Sequence, residues 1–475
     1  MRFVIKGDVV HNDIQTMAQV FFQNTGFQLA EEVPGDGMCL VVEQRGQKVW
    51  VGLYIDGGMT DFFAAKIEQR DEKSVARAAK LAVFGVLAPF TGYRPPWGLL
   101  TGIRPAKIVT GLRDRGFSWQ EAQRELQTYY LVEHGRARLC VDVAAAQQDI
   151  ICGAEKAVSI YISVPFCPTV CKYCSFSSYP LDKFGKYMDD YVAALIKEVE
   201  FLGKMASQYK AENIYIGGGT PTALDDRNFE RLLAAVAEGF DIGGVAEYSV
   251  EAGRPDTITA QKLALMQKYG VGRISINPQT LNDTTLAHIG RGHSVAQFFA
   301  AYEMARTAGF DHINIDLILG LDGEGPDDAS RTLEGIAALG PKAVTIHTLA
   351  VKRASRLRQE LEDAHLAQIA QMEQMLTHAA KYMVAAGLAP YYLYRQKNSL
   401  GNFENVGYAA DGYAGRYNVQ IMEERQSVYA AGAGAVTKLV GERDSRIERI
   451  FNFRNPVDYI RQVDEMIERK NGRDG

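Results

Sequence analysis

The chain has 475 residues, 47% hydrophobic and 23% charged, with a net charge of −5, which implies a folded protein of two or three domains rather than one core. The mild acidity argues against the strongly basic domain of a wholesale nucleic-acid binder and leaves room for local basic patches. No run of about 18 apolar residues marks a transmembrane helix, and "MRFVIKGDVVHND" meets charge too early for a secretion signal, so a cytoplasmic location is expected.

Residues 1–92 read as a small α/β domain. "MRFVIKGDVV", "MCLVVEQ" and "KVWVGLYI" have the pattern of strands, and "EKSVARAAKLAVFGVLAPF" that of a helix with an apolar stripe. "TGYRPPWGLLTGIRPAK" is rich in proline and glycine and opens a connector, residues 93–157, that turns helical from Ser118 to Asp149. From Val158 the texture changes. Six short β-runs follow, "VSIYISV", "NIYI", "EYSV", "RISI", "HINIDLIL" and "AVTIHTL", with helical stretches between them. Such alternation implies parallel strands joined by crossovers, and six units predict a partial (β/α)6 barrel over residues 158–360. Residues 361–475 are expected to form a C-terminal α+β domain.

Each β-run ends in unusual residues. Three cysteines follow the first, and "GGGTPT", Gly217 to Thr222, follows the second. Glu251 closes the third, Gln279 follows the fourth, Asp316 ends the fifth, and "HTLAVKRASRLR" follows the sixth. Barrel enzymes assemble their sites from the C-terminal ends of their strands, so a site is expected there.

The cysteines carry the sharpest signal. "YISVPFCPTVCKYCSF" holds Cys167, Cys171 and Cys174, half of the chain's six cysteines, in a C-x3-C-x2-C spacing. In a reducing compartment such a group binds metal in preference to forming disulfides. Zinc favours four closed ligands, and a ferredoxin-type centre needs a fourth cysteine, for which Cys152 is the nearest spare. Three thiolates on a four-iron cluster leave one iron open to a ligand. "GGGTPT" lets backbone approach a ligand closely, but it is neither a dinucleotide fingerprint nor a phosphate loop. Glu251 is either a solvated cap or a site acid. Asp316 is flanked by apolar residues and needs a partner if buried. Lys352, Arg353, Arg356 and Arg358 either receive an anion or form a solvated basic face.

Taken together, these features resemble the radical S-adenosylmethionine enzymes, whose signature is this cysteine spacing with an aromatic, here Tyr173, before the third cysteine. From Tyr161 to about Leu439, "YISVPFC", "GGGTPT", "SVEA", "RISINPQTLND" and "NIDLILGL" are similar to the oxygen-independent coproporphyrinogen III oxidase family. "GLLTGIRPAK" and "YYLYRQKNSLGNFENVGY" are similar to its HemZ-like branch. The resemblance implies a [4Fe-4S] cluster on Cys167, Cys171 and Cys174 with S-adenosylmethionine at its open iron. Tyr161, to which it also gives a catalytic place, would contact that cosubstrate, as would Gly218, Gly219, Thr220 and Glu251. Tyr173 would cover the adenine. Gln279, Arg291 and Asp316 would line the same cavity, with Leu349 and Val436 as looser matches.

The activity implied is porphyrin (heme) biosynthesis by an anaerobic oxidoreductase. A 5′-deoxyadenosyl radical takes hydrogen from a propionate of coproporphyrinogen III, and carbon dioxide and an electron leave. Done twice, this gives protoporphyrinogen IX, with a low-potential donor such as flavodoxin or ferredoxin as partner and no nucleic acid or membrane span. Two other readings share the cysteines: a heme-binding chaperone of the same family, and a radical enzyme that degrades or alkylates a tetrapyrrole. The better-known branch carries a further cysteine two positions after the third. This chain has Phe176 there, as the chaperone branch has phenylalanine.

Overall fold

The structure is a computed structural model that describes residues 1–471 apart from 8, 10, 23–24, 70, 152–156, 350–360, 397–399 and 442–445. It divides into two compact units. One gathers Met1–Asp142 with later segments such as Tyr394–Glu404, and the other Val143–Leu349, Glu373–Leu393 and Asn405–Gly475. These are not the sequence boundaries at 92, 157 and 360. The segment from 93 to 142 belongs with the N-terminal residues, and much of the C-terminal region belongs with the barrel.

In the first unit, strands Gln28–Leu29, Arg2–Lys6, Met38–Arg45, Lys48–Ile55 and Gly58–Lys66 form a sheet in that order. Helix Glu72–Thr91 starts at Asp71, whose carboxylate accepts the Ser74 N–H at 2.7 Å, a standard N-cap. This helix is long and apolar enough to span a membrane, but its stripe of Ala78, Ala82, Val83, Val86 and Leu87 is buried in the core of this unit. Gly85 has no side chain because a Cβ there would lie 2.6 Å from the Phe63 ring. The branch-marking segments meet here. The Trp97 indole donates to Glu404 at 2.8 Å, and Arg395, on the strand before it, donates to the Leu100 carbonyl at 2.5 Å.

The second unit holds the site. Ala157–Val164, Lys210–Gly218, Glu247–Glu251, Arg273–Ser275, His312–Leu319 and Ala343–Thr348 lie side by side in chain order, all parallel. This is the expected partial (β/α)6 barrel. Its register explains an alternation in the sequence. Tyr161, Tyr215, Ser249, Arg273 and His312 share one row across the sheet. Two residues further along each strand, Ser163, Gly217, Glu251, Ser275 and Asn314 share the next row. Side chains alternate faces along a strand, so these polar rows share one face. The other face carries Ile162, Ile216, Val250, Ile274 and Ile315, all buried. Asp316 lies within its strand, not at its end. The alternation in "DLIL" lets Leu317 and Leu319 continue the apolar face past it.

The sheet runs on beyond both edges. Val428–Ala431 pairs in parallel with the first barrel strand, Ala430 opposite Tyr161, and is followed by Val436–Val440 and Ile447–Phe451. At the other edge Glu404–Ala409 runs antiparallel to Ala343–Thr348. Hence the described residues from 361 onward form no separate domain. Glu198, on helix Met188–Met205, fastens this arrangement. It is fully buried and accepts from the Gly432 N–H at 2.8 Å, Asn452 at 2.9 Å, the Tyr459 hydroxyl at 2.5 Å and the ammonium of Lys470, itself fully buried. Two turns earlier, Tyr191 donates to the Ser163 carbonyl at 2.7 Å and accepts the Ala433 N–H at 2.9 Å.

Candidate active site

The cysteine loop leaves the first barrel strand and is tied on several sides. Cys167 is buried, its Sγ 3.4 Å from the Thr220 hydroxyl. Burial pushes its thiol up to about 11, so Cys167 is a protonated thiol unless a cation displaces the proton. Cys171 has guanidinium N–H groups of Arg254 and Arg291 at 3.9 Å each. Cys174 has the Ser178 hydroxyl at 4.0 Å and donates its N–H to the Cys171 carbonyl at 3.1 Å. The Lys172 N–H reaches the Ile289 carbonyl at 3.0 Å. Tyr173 and Leu349 both pack on Leu286, Ile289, Ile318 and Leu321. Among the described residues no three His, Cys, Asp or Glu side chains are gathered closely enough for a single ion. An iron–sulfur cluster spreads its thiolates more widely than one ion does.

The glycine run packs against this loop. The Gly219 N–H donates to the Val164 carbonyl at 2.7 Å and the Thr220 N–H to the Phe166 carbonyl at 2.8 Å. A Cβ on Gly219 would lie 2.6 Å from that Phe166 oxygen, and one on Gly217 2.9 Å from the Glu251 carboxylate. Gly218 has φ +108°, open to glycine alone at low cost. The glycines thus serve close packing of backbone beside Cys167, whatever else approaches them.

Below the cysteines lies the polar face of the sheet. Tyr215 stacks on Tyr417, ring centroids 4.4 Å apart, and Tyr161 lies nearly parallel beside both at 6.2 and 6.0 Å; the Tyr215 hydroxyl donates to Glu251 at 2.5 Å. Burial, reinforced by nearby Asp316, raises the Glu251 carboxyl to about 7 despite that hydrogen bond. Burial acts on Asp316 in the same sense, but bonds from His347 and Asn314 outweigh it and hold its carboxyl below the ordinary range. Asn314 donates to it at 2.7 Å and Asn277 at 2.9 Å. Gln279 has φ +73°, and its N–H donates to the Asp316 carbonyl at 3.1 Å. Its side-chain oxygen is buried with no partner. Arg291 donates to the Gly253 carbonyl at 3.0 Å and to that of Asn277.

Glu251 gives a pH test. Its carboxyl titrates near the ordinary 4.5 in the unfolded chain and near 7 in the folded one. The folded state therefore holds the proton over that window, and stability falls as pH rises through it. E251Q should match wild type at pH 4 and gain about 3 kcal/mol on it by pH 8, read from urea unfolding of the metal-free protein. A pH-independent difference would reject the raised carboxyl.

Cys167, Cys171, Thr220, Arg291 and the Gly218–Gly219 turn are thus joined by direct contacts, and Tyr173 and Leu349 by a shared apolar cluster. Glu251 and Tyr161 meet through Tyr215. Val436 stands apart, opening its strand opposite Phe451, three residues beyond Ala433, whose carbonyl takes the Ser163 hydroxyl. Cys152, Lys352, Arg353, Arg356 and Arg358 lie outside the described residues. Sequence reading missed Arg254, Tyr215 and Tyr417. It also missed Arg273, buried and donating to His312 at 3.2 Å. All but Tyr417 follow from two signals: polar residues at every second position of the β-runs, and an arginine between Glu251 and Pro255. Tyr417 reaches the face from helix Arg416–Glu423, whose first N–H groups are taken by the Glu247 carboxylate at 2.6 and 3.4 Å.

Residues 161–336 match the model of the radical SAM superfamily. The chain is 35% identical, over 98% of its own length and 96% of the relative's, to the oxygen-independent coproporphyrinogen-III oxidase-like protein HemZ of Bacillus subtilis. It is 28% identical to the heme chaperone HemW of Lactococcus lactis, over 66% of this chain and 78% of that one. In fold it is similar to the solved coproporphyrinogen III oxidase HemN of Escherichia coli, with a TM-score of 0.52 and 23% identity over 68% of this chain and 73% of that one.

Proposed function

Because the chain belongs to the radical SAM superfamily, and within it to the family of oxygen-independent coproporphyrinogen-III oxidase-like proteins, we propose that it decarboxylates coproporphyrinogen III oxidatively to protoporphyrinogen IX. The observation that carries the reading is the joining of the cysteine loop, the glycine turn and Arg291 above a sheet face of polar side chains.

The residues fit an iron–sulfur group. Their donors are soft thiols, with Arg254 and Arg291 N–H groups on the Cys171 sulfur, and the buried side-chain oxygen of Gln279, whose N–H is bonded to the Asp316 carbonyl, lacks a donor. Cys167, Cys171 and Cys174 would hold the [4Fe-4S] cluster. When bound, it supplies the electron that splits S-adenosylmethionine and yields the hydrogen-abstracting radical. Everything else falls to the chain. Gly218 and Gly219 keep the backbone beside Cys167 free of side chains. Glu251, Gln279 and Asp316 offer acceptors to a cationic cosubstrate, and Arg291 offers donors to its carboxylate. Tyr161, in the tyrosine stack below, shapes the floor. The apolar cluster with Tyr173 and Leu349 keeps water from a radical site, where it would cost the enzyme its product. A low-potential donor such as flavodoxin or ferredoxin would supply electrons.

The test is product identity. Reconstituted protein receives S-adenosylmethionine, a strong reductant and coproporphyrinogen III, and carbon dioxide and porphyrins are followed by mass spectrometry. Two decarboxylations in step with 5′-deoxyadenosine are expected. Stoichiometric heme binding without turnover would overturn this in favour of a chaperone, and ring opening or alkylation of heme in favour of another tetrapyrrole radical enzyme.

A further inference from the structure

Arg254 is a buried cation with one job left over. Its side chain is 3% exposed, and such a charge is costly unless paired. Asp256 pairs it with a fork: Nε to Oδ1 at 2.8 Å and Nη2 to Oδ2 at 2.8 Å. The remaining nitrogen, Nη1, donates to the Thr169 hydroxyl at 3.1 Å and carbonyl at 3.4 Å, and faces the Cys171 Sγ at 3.9 Å. The backbone is equally fixed. Pro255 holds Arg254 in extended conformation, φ −119° and ψ 108°. The Arg254 carbonyl accepts both the N–H and the hydroxyl of Thr257, at 2.9 and 2.8 Å. Gly292 leaves room for the pair, since a Cβ there would lie 3.0 Å from Nη2. The result is an oriented dipole with its positive end on a cysteine sulfur and its carboxylate on the far side.

We propose that Arg254 is a positioning residue that donates a charge-assisted hydrogen bond to the Cys171 sulfur and raises the reduction potential of the centre held there. This rests on the cluster reading above. Hydrogen bonds to cluster sulfurs and the charge around them set the potential of such centres. A fixed cation beside the sulfur favours the state with one more electron. Arginine suits the task because it does not lose its proton and its planar fork can serve Asp256 and the sulfur at once, where lysine presents a single ammonium.

The experiment is a redox titration of anaerobically reconstituted protein, followed by electron paramagnetic resonance without substrate, with iron counted in each sample. At the potential where wild type is half reduced, the ratio of reduced to oxidised centre in R254Q should fall about tenfold, a midpoint about 59 mV lower for a one-electron couple. R254K keeps Asp256 paired, guards against a folding defect, and should show a fall of about threefold. Unchanged midpoints in both variants, at full iron content, would overturn the proposal and leave the cluster reading intact. Wild-type protein that takes up no iron would overturn both. A normal cluster that makes no protoporphyrinogen, with the shift present, would fault the substrate alone.

Discussion

Replacing Cys167, Cys171 or Cys174 with alanine is expected to empty the site completely. Wild-type protein reconstituted without oxygen should hold about four irons per chain, and each single variant should fall to background. The contacts say why no neighbour can substitute. Cys167 is buried against Thr220, Cys171 sits under two guanidiniums, and Cys174 follows on a turn closed by its own N–H. The other described cysteines are remote in function: Cys140 and Cys39 are fully buried in the other unit, so C140S and C39S should retain iron. A full cluster in all three alanine variants would sink the assignment. Circular dichroism should find the variants folded, since the loop's backbone bonds do not depend on the thiols.

Replacing Lys470 with methionine should be the most damaging change far from that site. The ammonium and the Glu198 carboxylate are both fully buried, and removing one partner of a buried pair leaves the other charged and short of a donor, at about 3–5 kcal/mol. The Gly432, Asn452 and Tyr459 donors remain on Glu198, which puts the expected loss near the lower end. Denaturant unfolding of the metal-free chain measures it. Adding E198Q removes the stranded charge and should recover a good part of the loss. A K470M chain within roughly 0.5 kcal/mol of wild type would mean the pair contributes little, as exposed pairs do.

Much of the barrel could be read from the sequence because its strands alternate with helices and each has a simple period. The six β-runs lie where the six parallel strands are, and the helix expected at residues 72–90 starts at Glu72 and ends one residue later, at Thr91. What escaped was of two kinds. Pairing partners distant in sequence leave no local pattern, so the strands after residue 388 and their place on the barrel's edges could not be inferred from "SVYAAGAGAV" alone. The second kind was hidden in plain view. In "HINIDLIL" Asp316 stands out from the sequence, but His312 and Asn314, which share its polar face, do not, and the same holds for the polar residues of "NIYI" and "RISI". The edge strand Gly58–Lys66 was missed because nearly all of it is exposed, with Phe62 and Met59 at the surface, so no buried period marks it.

The place of Val428–Ala431 beside the first barrel strand bears on how the protein is made. Ser163 waits for Ala433, 270 positions later, and Glu198 for Lys470, 272 positions later. A ribosome adding roughly 5–20 residues per second spends on the order of ten to fifty seconds on that interval. Throughout it the strand that leads into the cysteines has one unpaired edge, open to wrong partners. Contacts this distant also make for slow folding. Metal loading is thus expected only once residues 428–470 have joined the sheet, and nascent chains halted before residue 428 should present the three thiols without that frame.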